Sequence, residues 1–498
     1  MQLLTSTEGW LVLLAFGLLF VGVTWLNSRK ADLLSKTGFL LANRRVGWVK
    51  AGFSVAATWI WAPALFVAAQ QGYQHGWVGV FWFTVPNVAC LIFFGFFAAK
   101  ARDMFPEGFT ISSAAGARYS TRVQKVYLVA LIGLAVSSFA VQILAGSAVI
   151  SVLTGISFFW ISVVLSIIAL SYTAYAGLRG SVITDFLQMW VIATVGFALA
   201  LAVAVVAGWD TLGNGVRGVD QNYTSLFSGP GASLFWSFGL STTIGLISGP
   251  FGDQSFWQRA WAVERKDVRK SFILGAGVFA IVPLVMSLLG FAAAGGRLEV
   301  ISPQLTNLSA VLEWLPTWTV LPFLLYVFSG LVSTMSSQLS AVSTFAGHDM
   351  ARGEQDARRL RNFARISMVV LAIGAVAIAN IPGIAIVQLF IFYGTLRACT
   401  LMPTIHMLTH RGPVSERGAF WGIVVALVVG VPMSAYGNLN DVVPMIWGSS
   451  VMVITVTALG AFGGTWLESR PGGVLHPDSR RDTADADGRQ KTNERVDL

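Results

Sequence analysis

Charged side chains are scarce in this sequence. Asp, Glu, Lys and Arg make up 11% of the 498 residues, whereas 55% of the residues are hydrophobic. A soluble globule of this length needs more polar surface than such a composition supplies. The scarcity therefore excludes a soluble enzyme or regulator and predicts an all-α polytopic protein of the lipid bilayer, in a cell (inner) membrane that it crosses many times.

Cysteine and histidine are also rare, with two Cys and five His residues. Cys90 and Cys399 both lie in apolar runs, which argues against a disulfide framework and a thiolate metal site. The histidines, at positions 75, 348, 406, 410 and 476, have no HExxH spacing, and no Ser/His/Asp set or Gly-rich phosphate loop stands out. The sequence thus argues against an enzyme.

Long apolar runs are what the sequence has in abundance. A spanning helix needs about 20 apolar residues, and runs of that length predict thirteen helices. Their approximate bounds are 9–27, 47–72, 77–99, 126–153, 158–176, 185–207, 233–252, 271–294, 318–347, 365–381, 384–408, 417–433 and 443–465. We interpret the first as a retained helix, because it has no basic start and no small-residue cleavage site.

Basic residues are segregated between alternate loops of this topology. With the N-terminus outside, all but three of the 33 Lys and Arg residues lie in cytoplasmic loops or in the tail. The exceptions are Arg217, Arg297 and Arg397. Because Lys and Arg near helix ends stay cytoplasmic, the pattern predicts an external N-terminus and a cytoplasmic C-terminus. The net charge of +9 then follows from topology and does not indicate nucleic acid binding.

Two apolar runs are interrupted. In residues 52–76, Pro63 removes a backbone N–H and clashes with the carbonyl four residues earlier. The second run, 233–252, contains Gly245, Gly249 and Pro250. A simple proline kink would explain the first break alone. Interrupted spans in both halves of the chain instead indicate a transporter built from inverted repeats with its site near the midplane.

A hydroxyl-rich stretch lies in the predicted helix 318–347. Gly330, Ser333 and Thr334 share one face of it, and Ser336 and Ser337 lie off that face. Sodium favours oxygen ligands, which unwound main-chain carbonyls and Ser or Thr hydroxyls can supply. Such hydroxyls often bond their own helix instead. Their occurrence together with an interrupted helix favours a sodium site.

The order and spacing of these pieces resemble the sodium:solute symporter family, which includes sugar, proline, sialic acid and urea symporters. The resemblance covers nearly the whole membrane domain. It is carried by the interrupted helix at 52–76, GLRGSVITDFLQ at 177–188, the WQRAWAVERKDVRK loop at 257–270 and SGLVSTMSSQLSAVST at 329–344.

The resemblance implies a leucine-transporter-type core of five plus five inverted helices. The first repeat would occupy 47–207 and the second 208–410. An extra N-terminal helix and cytoplasmic loop would precede them at 1–46, and two helices would follow at 411–467. We expect residues 468–498 to be a disordered cytoplasmic tail, because they are polar and rich in Arg, Asp, Gly and Thr.

The resemblance also implies where ions bind. The sodium site would use the main-chain carbonyls of Ala57, Ile60 and Gly330 with the hydroxyls of Ser333 and Thr334. Asp185, predicted at the cytoplasmic start of its helix, matches a family acidic residue on the inner exit path of the ion. A carboxylate favoured by the helix dipole at that position explains Asp185 equally well.

The run ATWIWAPAL at 57–65 resembles the urea-symporter branch, and it lacks the polar residues of sugar-binding relatives. A pocket formed by aromatic and small polar side chains would suit a small neutral or zwitterionic molecule. The candidates are Trp59, Trp61, Phe66, Gln142 and Ser248. For each aromatic residue, contact with lipid or core packing is the alternative.

Arg397 is the one basic residue inside a predicted span. Because a charge inside the membrane is costly, such a residue is a candidate for a functional role. It could bind a substrate carboxylate, or pair with Asp253 to latch an inner gate. The alternative is a long side chain that extends to the cytoplasmic interface.

The favoured function is sodium-coupled import of a small polar organic solute by alternating access, with a urea-like molecule as one candidate. The alternatives are a symporter for an amino acid such as proline or another zwitterion or carboxylate, a proton-coupled transporter, and a sensor with the same fold. The identity of the solute, the number of sodium ions and the oligomeric state are left open.

Overall fold

The computed structural model describes residues 3–29, 33, 35–351, 356–471 and 474–475. Within these ranges the chain is helical, and extended pairing is limited to one bridge between Val46 and Val263. A helix satisfies all its backbone hydrogen bonds within one segment, which a chain in hydrocarbon requires. The prediction of an all-α protein is confirmed.

The α-helices are numbered in chain order. They are α1 Ser6–Ser28, α2 Lys36–Leu41, α3 Trp48–Trp59, α4 Ala62–Met104, α5 Ile111–Arg118, α6 Thr121–Thr154, α7 Phe158–Val191, α8 Phe197–Ala207, α9 Trp209–Gly215, α10 Gly229–Leu234, α11 Leu240–Ser248, α12 Gln254–Ala262, α13 Val268–Gly295, α14 Thr306–Trp314, α15 Val320–Thr344, α16 Ala357–Ala379, α17 Ile386–Thr409, α18 Glu416–Val425, α19 Val431–Leu439, α20 Val443–Ala458 and α21 Gly464–Glu468. Short π-helical turns join several of them, including Ile192–Gly196 and Phe235–Gly239.

Ten helical segments of the described chain are long and apolar enough to cross a membrane. The sequence predicts thirteen, so three predicted spans are not counted separately. One of the three, 233–252, is divided among α10, the π-helical turn Phe235–Gly239 and α11. The other two are merged with a neighbouring span. The segments Ala62–Met104 and Phe158–Ala207 each include residues assigned to two predicted spans. In each segment the backbone leaves helical geometry at one glycine, Gly76 or Gly177, where φ is +56°, so two helices meet there at a kink. The count of thirteen, the orientation of the termini and the repeat boundaries stay predictions.

The predicted break before Pro63 is present. Helix α3 ends at Trp59, Ile60 and Trp61 are non-helical, and α4 begins at Ala62 with Pro63 in its first turn. Proline fits there because the N–H it lacks would have no partner within the helix. The chain therefore passes through the protein core as two helices joined by two unwound residues.

The second predicted interruption is only partly correct. Helix α11 ends at Ser248, and a turn leads into α12 at Gln254, so the chain does break around Gly249 and Pro250. Gly245, however, lies inside α11. A side-chain carbon there would come 2.8 Å from the Cα of Gly394, so this glycine allows α11 and α17 to pack closely.

Helix α15 lies at the centre of the protein. Every residue from Val327 to Thr344 is buried, hydroxyl-bearing and apolar side chains alike. The helix packs against α3, α6, α7, α12 and α16. Buried hydroxyls on this helix must therefore find partners within the protein or bind a ligand. The predicted tail 468–498 falls almost entirely outside the described residues.

Candidate functional site

The end of α3 and the middle of α15 meet at the helix break. The Thr334 hydroxyl donates to the main-chain carbonyl of Thr58 at 3.2 Å and lies 3.5 Å from the carbonyl of Gly330. A side-chain carbon added to Gly330 would lie 3.4 Å from the carbonyl oxygen of Ile60. Main-chain oxygens of the broken helix and a hydroxyl of α15 therefore come together at one place.

The residues predicted to bind sodium are all buried. They are Ala57, Ile60, Gly330, Ser333 and Thr334. Ala57 lies in the last turn of α3, directly before Thr58. Carbonyl and hydroxyl oxygens suit sodium, because it is a hard cation and does not require a buried carboxylate. The donor set is thus chemically suited to the ion, and the ligand assignments themselves stay predictions.

Ser333 has a different partner from its neighbour Thr334. Its hydroxyl donates to Oδ1 of Asp185 at 2.7 Å, which connects α15 to α7. Asp185 in turn forms an ion pair with Arg259 of α12, with 2.8 Å between Nη2 and Oδ2, and both side chains are buried. The candidate ion site is therefore linked to a buried ion pair.

Hydroxyl groups surround this ion pair. Ser54 donates to Asp185 at 2.6 Å and accepts from Nε of Arg259 at 2.8 Å. Nη2 of Arg259 also donates to the Ser337 hydroxyl at 2.7 Å, and Nη1 donates to the Ser255 carbonyl at 2.9 Å. Every nitrogen of the Arg259 guanidinium has a partner, which a buried charge requires.

Two predictions about this cluster are wrong. Asp185 does not start a helix: it lies inside α7, about two turns after the bend at Gly177. The helix-dipole explanation for the carboxylate therefore fails. Ser337 was predicted to lie off the face of the ion site, but its hydroxyl contacts Arg259 and lies 2.9 Å from the Thr58 hydroxyl.

An arginine surrounded by aromatic rings lies on the other side of the break. Cζ of Arg397, in α17, is 4.4 Å from the ring centroid of Tyr393 and 5.0 Å from those of Trp59 and Trp61. The side chain is 2% exposed, so the alternative of extension to the cytoplasmic interface is wrong. Contact with ring faces stabilises a guanidinium that has left water. We call the set of Arg397, Tyr393, Trp59 and Trp61 the aromatic cage.

Asp253 lies beside the aromatic cage, as the predicted gate pair requires. Its Oδ2 is 3.9 Å from Nη2 of Arg397, and both side chains are 2% exposed. The carboxylate also accepts from the backbone and hydroxyl of Ser255 and from Nε2 of Gln338 at 2.9 Å. The pair balances charge in the protein interior. Its role as a gate stays a prediction.

The other predicted substrate residues differ in what they contact. Gln142 accepts from the backbone N–H of Ala62 at 2.7 Å, which satisfies a donor exposed by the break. The Ser248 hydroxyl donates to the Ile244 carbonyl in its own helix at 2.6 Å. Phe66 is fully buried one turn along α4. Trp59 and Trp61 thus belong to the aromatic cage, and Gln142 contacts the break.

The model of the sodium:solute symporter family matches residues 39–426, which is more than half of the chain. The chain belongs to this family. The resemblance inferred from the sequence is confirmed, and so is the inference that the protein is a transporter and not an enzyme.

Urea transporters are among the relatives of this family member. The urea-proton symporter DUR3 of Oryza sativa subsp. japonica is 23% identical over 516 residues, covering 92% of this chain and 71% of the rice protein. A probable urea active transporter of Schizosaccharomyces pombe is 26% identical, covering 70% of this chain and 57% of its own length. A sodium/pantothenate symporter of Escherichia coli is 25% identical, covering 79% of this chain and 82% of the relative.

A solved structure has a similar fold. It is a Na⁺-coupled sialic acid symporter in a substrate-bound outward-open state, with a TM-score of 0.72 at 15% identity. The similarity covers 91% of this chain and 97% of that chain. At this identity the likeness establishes the transporter fold of the family member and does not identify its solute.

Sequence reasoning missed Arg259 and Tyr393. Arg259 was counted among the cytoplasmic loop residues, because WQRAWAVERKDVRK is rich in charge. Its first residues form α12, where Trp257 and Trp261 are buried on either side of the arginine. Tryptophans four residues apart around one arginine are the signal that could have indicated burial. Tyr393 lies one turn before Arg397 in α17, and that spacing could have indicated their contact.

Proposed function

We propose that this protein is a sodium-coupled symporter of the cell membrane that imports a small polar organic solute by alternating access. The observation that carries the proposal is the contact between Thr334 of α15 and the Thr58 carbonyl at the helix break. It brings a buried hydroxyl to unwound main-chain oxygens, and a sodium ion in a membrane protein prefers that combination. Membership of the sodium:solute symporter family supports the choice of ion.

The proposed sodium ion binds between α3 and α15. The carbonyls of Ala57, Ile60 and Gly330 and the hydroxyls of Ser333 and Thr334 are its ligands. An ion in this position joins two elements that a transport cycle must move relative to each other. Its binding therefore favours one conformation over the other, and by reciprocity a solute that prefers the same conformation binds more tightly.

Asp185 and Arg259 form the proposed inner exit path for the ion. Ser333 contacts both the proposed sodium site and Asp185, so a departing ion can exchange one set of oxygens for the next. Arg259 holds the carboxylate in place and balances its charge. A neutral pair attracts a cation less strongly than a lone carboxylate would, which favours release over trapping.

The proposed solute site adjoins the break, with Trp59, Trp61 and Arg397 as its central residues. A urea-like molecule fits the small, aromatic and partly polar surroundings. The rice and fission yeast relatives, which are named as urea transporters, support this choice. A carboxylate or zwitterion is the second candidate, because Arg397 offers a positive charge and one relative is a pantothenate symporter.

Proton coupling is a further candidate for the energy source. Asp185 is a buried carboxylate next to the proposed ion site, and the rice relative is named a urea-proton symporter. The hydroxyl and carbonyl ligands have no titrating group, which favours sodium. The two mechanisms make opposite predictions for uptake in the absence of sodium.

The test is uptake by the purified protein in liposomes. Labelled urea, proline, acetate and pantothenate are offered with an inward sodium gradient, with an inward proton gradient, or with neither. We expect the sodium gradient to accelerate uptake of at least one solute, and a proton ionophore to leave that uptake intact. Uptake that depends on the proton gradient and not on sodium would instead support a proton-coupled symporter.

A further inference from the structure

The aromatic cage contains hydrogen-bond donors that no protein group uses. Within the part of the chain that the structure describes, Nε and Nη1 of Arg397 and Nε1 of Trp61 are buried without a hydrogen-bond partner. All three belong to side chains that touch each other, since Arg397 lies 5.0 Å from the Trp61 ring. Buried donors without acceptors are costly, and native structures have few of them.

Asp253 balances the charge of Arg397 without occupying these donors. Its nearest approach is 3.9 Å to Nη2, which is beyond hydrogen-bond distance. The carboxylate oxygens already accept from Ser255 and from Gln338. The charge of Arg397 is therefore balanced, but its Nε and Nη1 and the indole N–H of Trp61 have no acceptor.

Arg259, which is also buried, shows what a fully hydrogen-bonded guanidinium looks like in this protein. All three nitrogens of Arg259 donate to carboxylate, hydroxyl or carbonyl oxygens, at 2.7 to 2.9 Å. Similarly, Nε1 of Trp59 donates to the Asn87 carbonyl at 3.2 Å, whereas Nε1 of Trp61 has no such bond. Buried donors without acceptors also occur elsewhere in the described chain, at Nε1 of Trp82 for example, but in the aromatic cage they are grouped, since the Tyr393 hydroxyl has no partner either.

We propose that Arg397 and Trp61 bind a carbonyl or carboxylate oxygen of the transported solute. This inference rests on the proposed function and narrows its solute class to molecules that present an sp² oxygen as acceptor. A guanidinium and an indole N–H are donors only, so they select an acceptor and reject a cation. Because Asp253 already balances the charge, a neutral amide or urea-type carbonyl is favoured over a carboxylate.

The experiment measures thermal stabilisation of the purified full-length protein in sodium by small probes. Urea and acetamide present a neutral carbonyl, acetate presents a carboxylate, and guanidinium and methylammonium present no acceptor. We expect stabilisation by at least one of the first three probes and by neither of the last two. A larger effect of urea or acetamide than of acetate would assign the neutral carbonyl, and the reverse would assign the carboxylate.

Two variants test the donors directly. Arg397→Lys keeps the charge and removes planar donors, and Trp61→Phe keeps a ring and removes the indole N–H. Each should weaken the apparent affinity for the effective probe at least tenfold while sodium still stabilises the protein. Trp421→Phe, at a site 62% exposed, is the matched control.

The inference is overturned if guanidinium or methylammonium stabilises as well as urea, if no acceptor probe stabilises the protein, or if both variants keep wild-type affinity. Its failure differs from failure of the proposed function. Sodium-driven uptake without a preference for acceptor probes would contradict the proposed subsite but still support a sodium symporter. If acceptor probes bind in a way that requires Arg397 but uptake does not depend on sodium, the subsite would be supported and sodium coupling contradicted.

Discussion

The Ser333 hydroxyl lies 2.7 Å from a carboxylate oxygen of Asp185, and this contact joins the candidate ion site to the buried ion pair. Its neighbour Thr334 instead reaches the carbonyl of Thr58. Two adjacent hydroxyls of α15 thus face two different helices. A change at either residue should be felt in both sodium binding and the conformational cycle.

Removing either hydroxyl should weaken sodium binding. For Ser333→Ala and Thr334→Ala we expect apparent sodium affinity to fall tenfold or more, since a lost hydrogen-bond-strength contact to a charge is worth about 1.5–3 kcal/mol. Solute affinity should fall with it by reciprocity. The measurement is solute uptake against sodium concentration, with membrane expression checked.

The control for that experiment is Ser329→Ala. Ser329 is buried in the same helix, but its hydroxyl donates to the Leu325 carbonyl of its own turn. Ser337→Ala is unsuitable, because Ser337 contacts Arg259. Wild-type sodium dependence in both Ser333→Ala and Thr334→Ala would refute the ion site.

Breaking the ion pair in the core should destabilise the protein. Asp185→Asn or Arg259→Gln alone leaves one buried charge unpaired, at a cost of about 3–5 kcal/mol. The double variant should lose less than the sum of the two single changes, because no charge is left alone. Denaturant unfolding in detergent measures the difference, and strictly additive losses would show that the two side chains do not interact.

Replacing the tryptophans beside the break with alanine should weaken solute binding more than sodium binding. Trp59→Ala and Trp61→Ala remove two rings of the aromatic cage, so we expect a higher solute KM with nearly unchanged sodium affinity. Trp421→Ala removes an exposed ring and is the control. If uptake kinetics were unchanged in both cage variants, the rings would serve packing alone.

The topology makes a prediction independent of the site. Tags placed at residue 1 and near residue 480 should lie on opposite faces of the membrane, following the segregation of Lys and Arg. Labelling of intact cells with an impermeant reagent measures this. Detection of both tags on the same face would rule out an odd number of spans.

The break at Ile60 and Trp61 could be predicted because its cause is local. Proline lacks an N–H wherever it occurs, so one residue is enough to locate the discontinuity. Family membership could be predicted for a similar reason, since the relevant stretches are short and contiguous. Both predictions needed only neighbouring residues.

The ion pair between Asp185 and Arg259 could not be predicted in the same way. The residues lie on different helices, and α12 looks like a charged loop when only its own sequence is considered. The predicted start of the helix around Asp185 is too late, because this helix already begins directly after the non-helical backbone at Gly177. Likewise Gly245 permits close packing against α17 and does not interrupt α11. The ion pair and the role of Gly245 both depend on contacts between helices, which neighbouring residues in the sequence do not reveal.

Because each of the two buried ion pairs is neutral, the net charge transported in each cycle would be that of the ion and the solute. Asp185 offsets Arg259, and Asp253 offsets Arg397, so neither pair neutralises an arriving ion. One sodium ion carried with a neutral solute would then transfer a full positive charge in each cycle. The membrane potential adds about 2.3 kcal/mol per 100 mV to that step. Transport would therefore be electrogenic, and accumulation would rise roughly fiftyfold for each 100 mV, even without a sodium concentration gradient.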